Sequence, residues 1–509
     1  MQSWMKGILL SALAFGGSWS GAVWYWRDTN RVPATGELAA YLIALPLALL
    51  LGYWLLRKSA SAWSERQAAA SAQPDQAPGA GDAAAAAALA QEQAMATLRI
   101  AAASLRVPHG ESAEALGQAM ASNKARPDLD KELADDDGFP VMAARAEGVD
   151  EQAMEQELNA WLAESGLAAL HARPEFWRAL ALATPVMRDL AMWAGVHQRL
   201  ADLAAAQDMG RAGANPRQAA QALNNVPMLQ LVAMLPQEWN TPSRDTASRW
   251  LQHQLVQAGW PQERIALAAR TDQHPGPVLA ALRNSTEPCV AVLLACGSHV
   301  GEQTVSAWSS EDKLFSAARP QGALPGEGAA GLLLADAAQA ALLAEGAEAA
   351  FGESAGADSY PLLAAIAAGA RADDIGQARS GECAMLTQLA LQALRPLAPQ
   401  QAPQPQPQPQ GDAPAAAQTV PLLIADTGHR SARVMELMAT ASAVQPQLDA
   451  AQDILALGNA TGQAGGVGFL AALALARHET QARGEPVLCI ANEDPYLRCA
   501  ALIRPGTPA

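Results

Sequence analysis

The chemistry-bearing residues of this chain include five cysteines, eight histidines, an acidic run and glycine-rich turns, and their spacings limit what each can do. Cys289, Cys296, Cys383, Cys489 and Cys499 are odd in number and form no framework of pairs, which predicts free thiols. Cys289 and Cys296 flank an apolar run, at neither CxxC nor zinc spacing, and read as buried structural residues. No HExxH occurs and no two histidines sit at ligand spacing on one helix, so no metal is expected. Asp135, Asp136 and Asp137 follow Asp128, Asp130 and Glu132 without the alternating ligands of a calcium loop, and predict a solvated acidic loop. Ser298 lacks the first glycine of a nucleophile elbow, and His299 beside it is expected to be packed locally or exposed. Gly326-Glu-Gly-Ala-Ala-Gly331 satisfies GxGxxG, but a dinucleotide site needs a strand before the turn and a helix after it. Here Pro320 and Pro325 precede the turn and a strand follows it, so no cofactor is implied. Gly462 to Gly468 opens a helix after a strand, and close helix-on-sheet packing is the expected use of its glycines.

The elements that must position these residues alternate. Strand-like runs Leu98 to Val107, Met228 to Leu235, Cys289 to Cys296 and Gly331 to Leu334 are interleaved with helical patterns such as Asp245 to Ala258, which predicts an α/β layered fold. Residues 151–214 carry Trp161, Trp177 and Trp193 at helical spacing and read as a helical insertion with its tryptophans in the core. A Pro/Gln-rich linker occupies 399–418. Beyond it the order repeats: strand Val420 to Ala425, helix Ser431 to Val444, strand Asp453 to Leu457, helix Gly465 to Arg477, then strands Pro486 to Ala491 and Ala500 to Arg504. The expected layout is a first half over 97–398 and a second over 419–509.

The first 58 residues read differently. Residues 7–26 and 38–56 are uncharged and apolar, each long enough to cross a bilayer as a helix, with aromatic residues toward their ends. They predict a transmembrane hairpin, followed by an Ala/Gln/Pro-rich tether over 59–96. Lys6, Arg57, Lys58 and Arg66 at its ends favour a multi-pass protein of the bacterial inner membrane with its large domain in the cytoplasm. The whole chain has 509 residues, half of them hydrophobic, and a formal charge of −16 with no basic stripe. That balance excludes a wholly disordered chain and gives no support to a nucleic-acid partner.

The segment Leu324 to Ala335 resembles the glycine turn and strand that close the first half of β-ketoacyl synthases of the thiolase superfamily. Cys289 to Cys296 resembles the strand before it, and Cys383 to Leu397 the helix preceding the second-half catalytic strand. Leu423 to His429 lies where the family places a His-Gly-Thr-Gly-Thr turn, with Glu436 like the acidic residue on the next helix. Gly458 to Gly468 resembles the family's second histidine turn. The resemblance spans roughly Leu98 to Arg504 and implies a thiolase-like layered fold of two pseudo-repeated βαβ halves.

In that family a cysteine thiolate attacks a thioester carbonyl while two histidines assist decarboxylation and hold the oxyanion. Here no cysteine precedes Cys289, although the nucleophile turn belongs before the helix Gly276 to Asn284. The two histidine positions read Ala425 and Gln463, and Asn492-Glu-Asp-Pro495 replaces the closing glycine turn. The resemblance therefore implies a degenerate site with no catalytic residue of the family. His429, Gln463 and Asn492 remain as candidate ligand-binding residues, and Gly326, Gly328, Gly331, Gly462, Gly465 and Gly466 as structural turn glycines. The expected function is a membrane-anchored adaptor that holds a protein partner, such as a component or effector of a type VI secretion system. A separate expectation, implied by the resemblance, is a structural membrane scaffold that pairs with a second copy through a sheet edge. The alternative is an acyl-thioester-binding enzyme of lipid metabolism with a non-standard active site.

Overall fold

The computed structural model describes residues 97–506 apart from 212–215, 272–273, 286, 353–355, 372–383 and 398–418. In chain order its strands are β1 (Leu98–Arg106), β2 (Asp128–Ala134), β3 (Pro140–Ala143), β4 (Leu229–Met234), β5 (Ile265–Arg270) and β6 (Val290–Ser298). These are followed by β7 (Glu327–Ala335), β8 (Leu362–Ala370), β9 (Leu422–Ala425), β10 (Ile454–Ala456), β11 (Val487–Ala491) and β12 (Leu497–Arg504).

Ten of them form one mixed sheet in the order β10-β9-β11-β12-β8-β1-β7-β6-β4-β5. The order holds an internal duplication. Counting β1, β4, β5, β6 and β7 as strands one to five of a unit gives the spatial order 3-2-4-5-1, and β8 to β12 give the same order. The pairings agree as well: the second strand runs parallel to the third and fourth in each unit, and the fifth runs antiparallel to the fourth and first. The two first strands, β1 and β8, join the units through the antiparallel pairs Leu98 with Leu363 and Arg99 with Leu362.

Apolar runs longer than simple alternation explain why this sheet is covered on both faces. Along β6, Val290, Val292, Leu294 and Cys296 enter one hydrophobic cluster while Ala291, Leu293 and Ala295 enter another, as successive side chains of a strand must. On the first side lie helices α1 (Pro174–Gly195) and α2 (Thr241–Gln257). On the other side are α3 (Gly276–Arg283) and, from the second unit, a helix described below. Helices α4 (Ala384–Leu394) and α5 (Ser431–Val444) cover the outer face of the second unit. Helix α6 (Val467–Arg483) is apolar all round, with Phe469 through Ala476 buried, so it needs apolar partners on every side. It has them, packing against β1 and β7 of one unit and β9, β11 and β12 of the other. Gly484 ends α6 in the left-handed conformation, φ 70°.

Several expectations are met in kind and altered in detail. The fold is mixed α/β, and the runs read as strands at residues 98–107, 228–235, 289–296 and 331–334 fall in β1, β4, β6 and β7. Trp177 is buried in the core, and Trp161 and Trp193 pack against it. Within 151–214, α1 is not an appendage, since it lies directly on β1, β6 and β7. The acidic run Asp135 to Asp137 forms a solvated turn, as expected, but Asp130 ahead of it is not solvated. β2 and β3 make a hairpin in which Asp130 is buried, accepting from Arg145 Nε at 2.6 Å and Nη2 at 3.1 Å. β5 and β8 were not expected, because their mixed burial leaves no clean periodicity.

The expected placement in a membrane is corrected. Among the described residues no helix is long and apolar enough to cross a bilayer, so no described element supports the reading of a multi-pass inner-membrane protein. The segments 7–26 and 38–56, the tether, the 399–418 linker and Cys383 lie outside the described residues.

Candidate ligand-binding cleft

Within each unit one crossover from the third strand to the fourth ends in a helix: α3 before β6 and α6 before β11. The duplication makes these helices counterparts, and the residues before them, His274 and Gln463, meet at one cleft of about 920 Å³. Its wall also takes Asp426 from the end of β9 and Glu493 to Pro495 from the end of β11. Ligand sites of parallel sheets form at such carboxyl ends, where loops diverge.

His274 is 3% exposed and stacks on Phe469 of α6, ring centroids 5.5 Å apart. Its Nδ1 accepts from the Gly276 amide at 3.0 Å, which places the proton of the neutral ring on Nε2. Burial pushes its pKa down to about 4, so the ring is neutral at pH 7. Nε2 has no hydrogen-bond partner among the described residues. A buried donor left unsatisfied costs on the order of 1–3 kcal/mol, which a ligand carbonyl or a water could recover.

Asp426 follows directly on the last residue of β9. Its Oδ1 accepts the amides of Asn492 at 2.8 Å and Glu493 at 3.1 Å, while Oδ2 has no partner among the described residues. Burial raises its pKa to about 7, and the neighbouring Glu493 carboxylate adds to the effect. The group is thus poised between acid and base near neutrality, as a proton-transfer residue needs. Glu493 accepts from the Gly428 amide at 2.9 Å and faces Arg430 at 3.8 Å. With its amide oriented by the hydrogen-bond network, Gln463 accepts from Arg430 Nη1 at 3.2 Å and Nη2 at 2.6 Å.

The residues expected to bind ligand are not all brought together. Gln463 lines the cleft. Asn492 is fully buried beside it, accepting from Thr427 Oγ1 at 2.6 Å and donating to the Arg433 carbonyl at 3.0 Å and to Glu436 at 3.3 Å. It clasps the β9 turn to α5. Glu436 in turn accepts from Arg498 Nε at 2.9 Å with both oxygens, and both side chains are wholly buried. His429 is not among the cleft residues and packs edge-on to Phe315 at 4.9 Å. Burial lowers its pKa.

His299 joins the two units: its Nδ1 donates to the Gln463 carbonyl at 2.6 Å, and its ring packs on Trp308. Ser298 is structural, donating to Glu327 at 2.8 Å. The GxGxxG turn leads into β7, as its prolines required. Cys289, Cys296, Cys489 and Cys499 are all buried and free. Burial pushes Cys289 and Cys296 up to about 12, and Cys489 and Cys499 also upward, so none is a thiolate at pH 7.

Three functional candidates escaped the sequence reading: His274, Asp426 and Arg430. His274 stands two residues ahead of a helix in His-Pro-Gly-Pro, a visible helix-start signal. Asp426 and Arg430 carried no local signal, since their partners lie at 463, 492 and 493.

These elements define a duplicated mixed α/β protein with a cleft between its units. Solved structures similar to it include ketosynthase domains. The ketosynthase of module 1 of the bacillaene synthase from Bacillus amyloliquefaciens is 12% identical, with a TM-score of 0.47 over 82% of this chain and 74% of that one. The ishigamide ketosynthase/chain length factor is 14% identical, TM-score 0.45, over 81% and 100%. The type II polyketide ketosynthase in complex with its acyl-carrier protein, AntDE:AntF, is 11% identical, TM-score 0.48, over 80% and 99%. No family profile and no curated protein matches the chain.

Proposed function

We propose that the protein is a ketosynthase-like domain that binds an acyl thioester in this cleft and has lost condensing chemistry. The observation that carries the reading is the meeting of His274 and Gln463, ahead of two counterpart helices, at one cleft with no thiol among its described lining residues. Condensation through an acyl-enzyme needs a thiolate at the carbonyl, and the four described cysteines are buried and neutral. What remains suits recognition of a polar acyl headgroup: Gln463 at the cleft wall and Arg430, which is paired to Gln463 and Glu493.

The same lack of a thiol favours a second reading, a module that holds a protein partner. Affinity purification of the full-length chain, with eluates analysed for acyl carriers, acyl-CoA and proteins, tests both. An acyl thioester recovered with the wild type and lost with Gln463→Ala supports the first reading. A specific protein recovered without any acyl species replaces it with the second.

A further inference from the structure

The cleft holds two groups that neither the ketosynthase resemblance nor the binding function employs. Asp426 and His274 come from different units and are held by consecutive residues of α6. A methyl group on Gly468 would lie 3.3 Å from Asp426 Cβ, and the His274 ring stacks on Phe469. Cys499 lies beneath both: its Sγ would be 2.9 Å from a Cβ on Gly276, the residue whose amide binds His274, and the Asp426 charge helps to raise its pKa. Asp426 and His274 both line the cleft, and each has one atom without a partner among the described residues, Oδ2 of the first and the buried Nε2–H of the second.

We propose that this pair makes the cleft a thioester hydrolase, with Asp426 as general base toward water and His274 Nε2–H as the donor that holds the carbonyl oxygen. The step balances without a redox partner. The water oxygen bonds to the thioester carbonyl carbon as its proton passes to the Asp426 carboxylate, and the resulting oxyanion takes the His274 hydrogen bond. The C–S bond then breaks, Asp426 returns the proton to the departing thiolate sulfur, and a carboxylic acid and a thiol leave. A neutral imidazole suits this role, since its N–H is fixed by the Gly276 contact and its own proton is not transferred. The charged and titratable groups around Asp426 are Glu493, Arg498 and Cys499. Of these, Cys499 stays a thiol, Glu493 is held by the Gly428 amide and faces Arg430, and Arg498 is paired with Glu436.

This inference rests on the acyl-thioester reading, and its test separates the two. The full-length chain is incubated with butyryl-CoA and with palmitoyl-CoA, thiol release is followed, and binding is measured in parallel by calorimetry. The expected result is release above the buffer rate that falls about 100-fold or more in Asp426→Asn, while affinity changes less than about threefold. His274→Gln should slow release with the pH profile still rising toward pH 7, whereas the residual rate of Asp426→Asn should be flat there. Binding without thiol release, or undiminished release in Asp426→Asn, overturns the hydrolase inference and leaves the binding reading standing. Absence of binding by either probe overturns both.

Discussion

Gly326 and Gly462 meet backbone to backbone across the two units. A Cβ on Gly326 would collide with the Thr461 carbonyl oxygen and come within 2.6 Å of Gly462 Cα. Around that contact the Gln463 amide donates to the Leu324 carbonyl at 2.9 Å and the His299 amide to the Gly326 carbonyl at 2.9 Å. The two glycine turns thus close on each other and set the position of Gln463 in the cleft. Gly326→Ala is expected to destabilise the protein by about 1–3 kcal/mol or more, because the obstruction is backbone and has no rotamer to yield. Urea unfolding checks it, and a variant as stable as wild type refutes the contact.

A buried ion pair at the start of β7 should be among the costliest to break. Arg178 donates to Glu327 from Nε at 2.7 Å and from Nη2 at 2.5 Å, and Ser298 and the Ala146 amide complete the carboxylate's bonds at 2.8 Å each. Glu327→Ala leaves a guanidinium buried with Glu151, at 2.7 Å, as its counter-charge among the described residues. A loss of about 3–5 kcal/mol in chemical denaturation is expected, with Arg178→Met the milder change when made together with it.

Asp426 should make stability depend on pH with a definite sign. Its folded pKa, about 7, lies above the ordinary 3.8, so the folded state binds the proton more tightly. The stabilisation is full below pH 3.8 and is lost as pH rises to about 7. Asp426→Asn keeps an oxygen for the two amides and has no proton to lose. Its stability relative to wild type should therefore grow from pH 4 to pH 7, by on the order of 1–3 kcal/mol, and then level off. A difference in melting temperature that does not change with pH would refute the shift.

Two buried histidines act in the opposite sense. Burial pushes His197 and His274 down to about 4 from the usual 6.5, so the unfolded chain takes up protons first as pH falls. The histidine contribution to stability should decline between pH 6.5 and pH 4, so the stability of the double variant His197→Gln with His274→Gln should rise relative to wild type over that interval. Melting curves at stepped pH read this directly.

The thiols offer a simple check on the absence of a nucleophile. The chain has five cysteines, and four of them are buried and free. Native protein should react with Ellman's reagent at no more than one site, and all five should react in guanidinium. Rapid native labelling of two or more would show a thiol reachable in the folded state.

Much of the architecture is legible in the chain because it depends on neighbours in sequence. Val290 to Cys296 is apolar at every position, and that alone requires a strand covered on both faces. Pro320 and Pro325 ahead of Gly326 identify a turn leading into a strand and exclude a dinucleotide fingerprint. The alternation after residue 419 marks strands β9 to β12, but the unit they complete begins earlier in the chain, at β8 (Leu362–Ala370), ahead of the expected boundary. The cleft is a different matter. Asp426 looks like any solvated aspartate until the crossover to β11 brings the Asn492 and Glu493 amides against it, and burial then raises its pKa. His274 and Gln463 are 189 positions apart in the chain, 463 − 274, and meet only because two duplicated units pack their counterpart helices into one layer. Local pattern determines the strands and helices, since period and turn chemistry are properties of adjacent residues. Which side chains lose their water together, and so acquire chemistry, was decided by the tertiary packing alone, because desolvation belongs to a place and not to a sequence.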